Sequence, residues 1–271
     1  MRNVGLPSDP YALAKLAAAA ILERFQIAQL DTAFVLGSGW AAAANDLGQM
    51  IGSCELDELP GFAKPMVIGH GAALRIVSAP TGKITAIFTG RTHLYEGQGA
   101  DQVVHGVRTA VCAGANVIVL TNGSGGLNPD WHPGSTVLIR DHINLTGSSP
   151  LVGARFIDMS MAYSARLRDL ARSVGHGMPE GVYVQFPGPQ FETPAEVRMA
   201  VALGGDLVGM STTIETIAAR ELGAEVLGIS LVTNLAAGIS PESLSHEDVL
   251  EAGREAAPRL RQLLGGIAAT L

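Results

Sequence analysis

Short runs of β-branched and aliphatic residues alternate with longer Ala-, Leu-, Glu- and Arg-rich stretches along the whole chain. That alternation restricts the chain to the α/β sheet proteins. Strands are predicted at Thr32–Leu36, Ile84–Thr89, Val117–Asn122, Ser135–Arg140, Val182–Gln185, Leu207–Met210 and Val226–Asn234. Helices are predicted over Tyr11–Phe25, Ala100–Gly114 and Thr213–Leu222, and from Glu247 onward. Another begins at Thr193, where a capping hydroxyl, Pro194 in the first position and an early Glu196 stand together. No Pro/Ser linker, charge block or repeat divides residues 1–271, which read as one domain.

Several strands end in small or polar groups: Ser38, Arg91 with His93, Asn122, Met210 with Ser211, and Thr233 with Asn234. Ligands of α/β sheets sit beyond the carboxyl ends of strands, where loops diverge and backbone N–H groups point outward. Five such ends therefore point to one shared pocket.

Composition narrows what the pocket can take. With 47% hydrophobic and 16% charged residues the chain has the makings of a compact core. A formal charge of −7 argues against nucleic acid or an anionic membrane as the main partner, although a local set of donors still holds a small anion. No apolar run reaches the roughly 20 residues a bilayer demands, and the first ten residues lack a signal-peptide core. Cys54 and Cys112 lack metal-ligand spacing and read as reduced thiols, so a cytoplasmic protein is expected.

The candidate residues are anion donors rather than nucleophiles. Gly37-Ser38-Gly39 after a strand offers backbone N–H groups and a hydroxyl. With Ala42 where a dinucleotide fingerprint needs glycine, and no Gly-Lys-Ser/Thr, neither a Rossmann nor a Walker loop is present. Arg91 and His93, two residues apart, can donate to one oxyanion, Arg with a planar fork. Asn122-Gly-Ser-Gly-Gly126 reads as a second flexible loop. No Gly-x-Ser-x-Gly marks a serine hydrolase, and no His-Glu-x-x-His marks a metal site. His70, His105, His132, His142 and His176 read as surface or structural, while Ser245 and Asp248 read as the cap and first turn of the last helix around His246.

With those residues in view, the chain resembles the trimeric purine nucleoside phosphorylases over nearly its whole length. The resemblance rests on Leu36-Gly-Ser-Gly39, Gly90-Arg-Thr-His-Leu-Tyr-Glu-Gly97, Thr121-Asn-Gly-Ser-Gly-Gly-Leu-Asn-Pro129 and Arg140-Asp-His-Ile-Asn-Leu145. It continues through Gly188-Pro-Gln-Phe-Glu-Thr193, Val208-Gly-Met-Ser211, Thr233-Asn234 and Ser245-His-Glu-Asp-Val-Leu250. The continuation Leu235-Ala-Ala-Gly238 looks like the bacterial branch.

The resemblance implies a phosphorylase-type α/β fold, with a mixed, partly barrel-like sheet flanked by helices, and a homotrimer. It implies reversible phosphorolysis of inosine, guanosine and their deoxy forms, with inorganic phosphate as co-substrate and no cofactor or metal. Ser38, Arg91, His93, Asn122, Gly123 and Ser211 would form the phosphate site. Tyr95, Met210 and His246 would contact the ribose, and Phe191, Glu192, Val208, Thr233 and Asn234 the base. His93, Glu192 and Asn234 would carry the catalytic roles. In the family a neighbouring subunit lends an aromatic residue to the ribose pocket; Phe156 is a candidate here, as is a buried role for it.

Three other readings share parts of this pattern. Methylthioadenosine phosphorylases have the same fold but tend to carry an acid in place of Asn234 and an apolar residue in place of His246. A nucleoside hydrolase would not need the Ser38/Arg91/His93 donors. A nucleoside- or phosphate-binding protein without turnover would keep the same residues.

Overall fold

The structure, a computed structural model, describes residues 6–63, 73–239 and 246–271. His70 and Ser245 lie outside the described residues, as does the side chain of His246.

Helix α1 (Pro10–Phe25) starts as its sequence dictates. The Asp9 carboxylate accepts from the N–H groups of Tyr11 and Ala12, and Pro10 sits where a helix needs no donor. Among the described residues, nine strands then build one mixed sheet. They are β1 (Thr32–Val35), β2 (Gln49–Glu55), β3 (Ala73–Ser78), β4 (Ile84–Phe88), β5 (Val117–Gly126), β6 (Thr136–Asn144), β7 (Glu180–Gln185), β8 (Leu207–Gly209) and β9 (Glu225–Leu235). Their order is β2-β3-β4-β1-β5-β8-β7-β6-β9, and β9 returns to pair with β5. Five strands, β5, β8, β7, β6 and β9, thus close into a barrel, from which β1 to β4 extend as a wing. Strand β5 belongs to both: it runs parallel to β1 and β9, and its last two residues pair antiparallel with β8.

The double role of β5 corrects one expectation. Asn122–Gly126 is strand, not a flexible loop. Its glycines are there for close approach, since a Cβ on Gly125 would stand 3.0 Å from Val208 and one on Gly126 3.0 Å from Val232. A glycine run reads as a loop until neighbours crowd it from both sides.

Successive residues of β5 face two cores. Ile118 and Leu120 join the cluster that includes α1 residues Ala18 and Ile21. Helices α3 (His105–Cys112) and α6 (Thr213–Glu221) add Val107 and Ala219 to that side. Val117 and Val119 pack with Leu167 of α4 (Ala165–Val174) and with Leu260 and Leu264 of α7 (His246–Ala268). The single helix predicted over 100–114 is two: α2 (Gly99–Val103) precedes α3, with Val104 at φ −95°, ψ 0° between them. Helix α5 (Pro194–Ala202) carries the predicted Thr193 cap, completed by the Glu196 carboxylate on the Thr193 N–H. Among the described residues, no helix is long and apolar enough to cross a membrane.

Strands β2 and β3 and helix α4 have no predicted counterpart. β2 is almost wholly exposed, so its sequence shows no apolar run, and Arg75 interrupts β3. In α4 only Leu167 and Ala171 are buried among arginines.

Candidate functional site

Where the barrel meets the wing, one cavity of about 270 Å³ opens at the carboxyl ends of β1, β4, β5, β8 and β9. Every predicted site residue lines it except His246, whose side chain lies outside the described residues. Val249, one turn along α7, does line the cavity. A second cavity of about 320 Å³, walled by Leu250, Gly253 and Arg254 of α7, shares Ser38, Arg91 and His93 with the first.

The anion end is built from three strand ends and from Asn122 and Gly123 within β5. Ser38 follows β1, and the turn before it comes close to β5. A Cβ on Gly37 would stand 2.5 Å from the Thr121 carbonyl oxygen and 2.7 Å from Arg91 Nη1, so only glycine fits. Arg91, after β4, is buried and already engaged. Its Nε donates to Glu215 Oε1 at 3.1 Å, Nη1 to the Thr121 carbonyl and Nη2 to the Val35 carbonyl at 3.4 Å. Of its five N–H donors three are thereby used, which differs from the free fork expected of an anion ligand.

Asn122 differs in the same way. It lines the cavity, but its Nδ2 donates to Thr212 Oγ1 at 2.8 Å and its Oδ1 accepts from Ser230 Oγ at 2.6 Å. Its carbonyl accepts from Trp40 Nε1 at 2.8 Å. His93 opens a 3₁₀ turn in which Glu96 accepts from the His93 N–H at 2.7 Å. The His93 ring stacks on Tyr95 with centroids 4.8 Å apart. Burial, aided by the Glu96 charge, pushes the Tyr95 phenol up to about 12, so it stays protonated and able to donate. Ser211 follows β8; its N–H donates to the buried Tyr183 hydroxyl at 3.3 Å.

The other end is less finished. Glu192 is only 8% exposed, yet its Oε1 has no hydrogen-bond partner among the described residues. Burial pushes its carboxyl above the ordinary carboxylate value, partly offset by its own backbone N–H. Phe191 beside it remains 38% exposed. The segment carrying both residues turns at Gly188 (φ +66°), where a Cβ would stand 2.4 Å from Met210 Sδ and 3.1 Å from the Tyr95 ring.

Thr233 and Asn234 both line the cavity because β9 is irregular there. Register with β5 jumps from Ser124↔Val232 to Gly125↔Asn234, leaving Thr233 as the extra residue of a bulge. Thr233 Oγ1 donates to Asn234 Oδ1 at 2.9 Å, and Asn234 Nδ2 donates to the Leu235 carbonyl at 3.1 Å. The Asn234 amide is thus oriented, with one Nδ2 proton to spare. Among the described residues, no group of three His, Cys, Asp or Glu side chains gathers as a metal site would need.

Sequence reasoning missed Gln185, Thr212 and Glu215, which touch the anion end from behind. A signal for two of them was present, because Thr212-Thr-Ile-Glu215 is a capping-box pattern directly after Met210-Ser211.

Chemically, the cavity offers donors for a small anion at one end. At the other it pairs a carboxylate with an amide, as recognition of a polar heterocycle requires. Residues 31–269 match the phosphorylase superfamily. The chain is 55% identical to a purine nucleoside phosphorylase of Cellulomonas sp, over 96% of this chain and 94% of that protein. It is 53% identical to that of Mycobacterium tuberculosis, over 96% and 97%. The fold superposes with a TM-score of 0.88 on Schistosoma mansoni purine nucleoside phosphorylase in complex with adenosine, at 32% identity, over 95% of this chain and 96% of that one.

Proposed function

The chain belongs to the phosphorylase superfamily, among its purine nucleoside phosphorylases, and from that premise we propose that it cleaves 6-oxopurine nucleosides with inorganic phosphate. The products are the free base and ribose or deoxyribose 1-phosphate. The observation that carries this reading is the two-ended cavity: anion donors at one end, Glu192 and Asn234 at the other.

Phosphate is held by Ser38, the Gly123 backbone, Ser211, His93 and the remaining Arg91 donors. The ribose rests against Tyr95 and Met210, and the 5′-hydroxyl is assigned to His246. Phe191 and Val208 flank the purine. As the bond from C1′ to N9 breaks, the sugar gains oxocarbenium character; the fixed anion stabilises that charge and then captures C1′. Catalysis is positional and electrostatic, with no covalent enzyme intermediate.

The departing purine gathers negative charge, and the second Asn234 Nδ2 proton, not used by the Leu235 carbonyl, is the donor assigned to N7. Glu192 Oε1 accepts from N1–H, which hypoxanthine and guanine carry and neutral adenine lacks. Offering adenine would leave that buried oxygen unpaired, the strongest kind of discrimination a site can make. Asn234 and His246 favour this reading over a methylthioadenosine phosphorylase.

A homotrimer and a cytoplasmic location are part of the proposal. Exposed Val152, Phe156 (95%) and Met161 support burial of that surface against another copy. The free cysteines Cys54 and Cys112 support a reducing compartment. The test is purine release from inosine and adenosine, each with and without phosphate. Phosphate-dependent release from inosine is expected. Release without phosphate would indicate a hydrolase, preference for adenosine would overturn the base assignment, and no release would indicate a binding protein.

A further inference from the structure

Resting on the assignment of phosphate to the Arg91 end of the cavity, we propose that Glu215 is the positioning residue of the anion cradle, one buried carboxylate that aims both Arg91 and the Ser211 turn. Its two oxygens are spent on different halves of the site. Oε1 accepts from Arg91 Nε at 3.1 Å, and Oε2 accepts from the Thr212 N–H at 2.8 Å. Arg91 lies 124 residues away in sequence, after β4, whereas Thr212 directly follows Ser211.

The Thr212 turn needs such a clamp. Its backbone sits at φ +80°, ψ −49°, a region that a β-branched residue disfavours. The Thr213 N–H donates to the Ser211 carbonyl at 2.9 Å, closing a three-residue turn of the rare, strained γ type. Strain of this kind persists only where the surroundings over-determine it. Here Glu215 holds the Thr212 N–H, and Asn122 Nδ2 holds Thr212 Oγ1 at 2.8 Å. Gln185 Oε1 accepts from the N–H groups of Thr213 at 3.0 Å and Ile214 at 3.4 Å.

Two features separate this from an ordinary helix cap. Glu215 does complete a capping box at the start of α6, but a cap needs only one carboxylate oxygen and is usually wet. This side chain is 1% exposed and pairs with an arginine side chain that is 3% exposed. Moreover, Gln185 takes up the first N–H groups of α6, so the helix end itself does not serve as the anion site. What remains to bind the anion there is Ser211 and the two uncommitted Arg91 donors, and Glu215 sets the direction of both.

Wild type, Glu215→Asp and Glu215→Gln test this by saturation with phosphate and, separately, with inosine. Asp keeps the charge and suits a first helical turn, but draws the carboxylate back by one methylene. Gln keeps the length but faces a backbone or guanidinium donor with a donor of its own. The phosphate KM is expected to rise about tenfold, the worth of one charge-assisted hydrogen bond, with the inosine KM unchanged. An unchanged phosphate KM in a folded variant overturns the proposal, as does a parallel rise in both KM values. Should neither Glu215 variant fold, Thr212→Gly tests the aim of the same turn, since it removes the hydroxyl that Asn122 holds and gives the backbone a wider range of angles to leave the clamped geometry. A raised phosphate KM there supports the proposal and an unchanged one overturns it. If wild type needs no phosphate at all, the phosphate assignment itself fails, whatever Glu215 does.

Discussion

At the anion end of the cavity Arg91, Asn122, Thr212 and Glu215 direct their polar atoms at one another and at backbone carbonyls. At the base end Glu192 keeps a buried oxygen without a partner among the described residues, and Phe191 stays partly in solvent. The first arrangement is a preorganised field whose geometry exists before any ligand arrives. On the proposed function the second is completed by the base it binds, and a wrong base would leave it incomplete. Stability and specificity are thus assigned to opposite ends of a cavity of about 270 Å³.

The largest effect that could break this division is expected from Arg91→Met. It strands Glu215 as an unpaired buried charge, and removing one partner of such a pair costs about 3–5 kcal/mol. Denaturant unfolding should show that loss together with loss of phosphate saturation. A variant as stable as wild type would mean that the anion end is not wired as described.

Next comes Glu192→Gln at the other end. By analogy with removal of one transition-state hydrogen bond, kcat/KM for inosine should fall on the order of 100-fold. Thermal stability should hold or rise, because burial already disfavours the Glu192 charge. A stability loss comparable to that of Arg91→Met would erase the contrast between the ends.

The same carboxyl sharpens the contrast through pH. Its pKa is raised above 4.5, chiefly by desolvation, and the ionised form is the stronger acceptor for N1–H. Inosine kcat/KM should therefore rise with pH through a limb lying above 4.5, and Glu192→Gln should lack that limb. For stability the sign is reversed. The folded state holds this proton longer than the unfolded chain, so the Glu192 contribution weakens as pH climbs past 4.5 through the raised value.

The smallest effect lies away from both ends. Desolvation lowers the pKa of His105, and likewise that of His142, which hydrogen-bonds Tyr163 at 3.0 Å. Below pH 6.5 the unfolded chain takes up protons that these rings refuse, so stability should decline gently as pH falls from there. Replacing His142 by Gln should flatten part of that decline without changing the inosine KM.

At the base end Thr233-Asn234 was legible as a polar strand end, and the rule that strands end together put it with the other donors. Phe191 and Glu192 carried no such pattern and were named only through the family resemblance. The anion end was legible as a list of donors but not as a mechanism of assembly. Arg91 and Asn122 read as ligands, yet most of their donors and acceptors go to partners far away in sequence. Gly123, Gly125 and Gly126 read as loop because crowding by β8 and β9 is a tertiary fact. The edge strand β2 was invisible for the opposite reason, since an exposed edge needs no apolar pattern.

Amide hydrogen exchange on the ligand-free enzyme, then with phosphate alone and with hypoxanthine alone, tests the division of labour most directly. Amides of 121–124 and 212–216 should be protected from the start and change little with either ligand, while 188–193 should gain protection with hypoxanthine. Exchange that is fast at 212–216 and suppressed only by phosphate would contradict it, because the anion end would then be assembled by its ligand rather than by the fold.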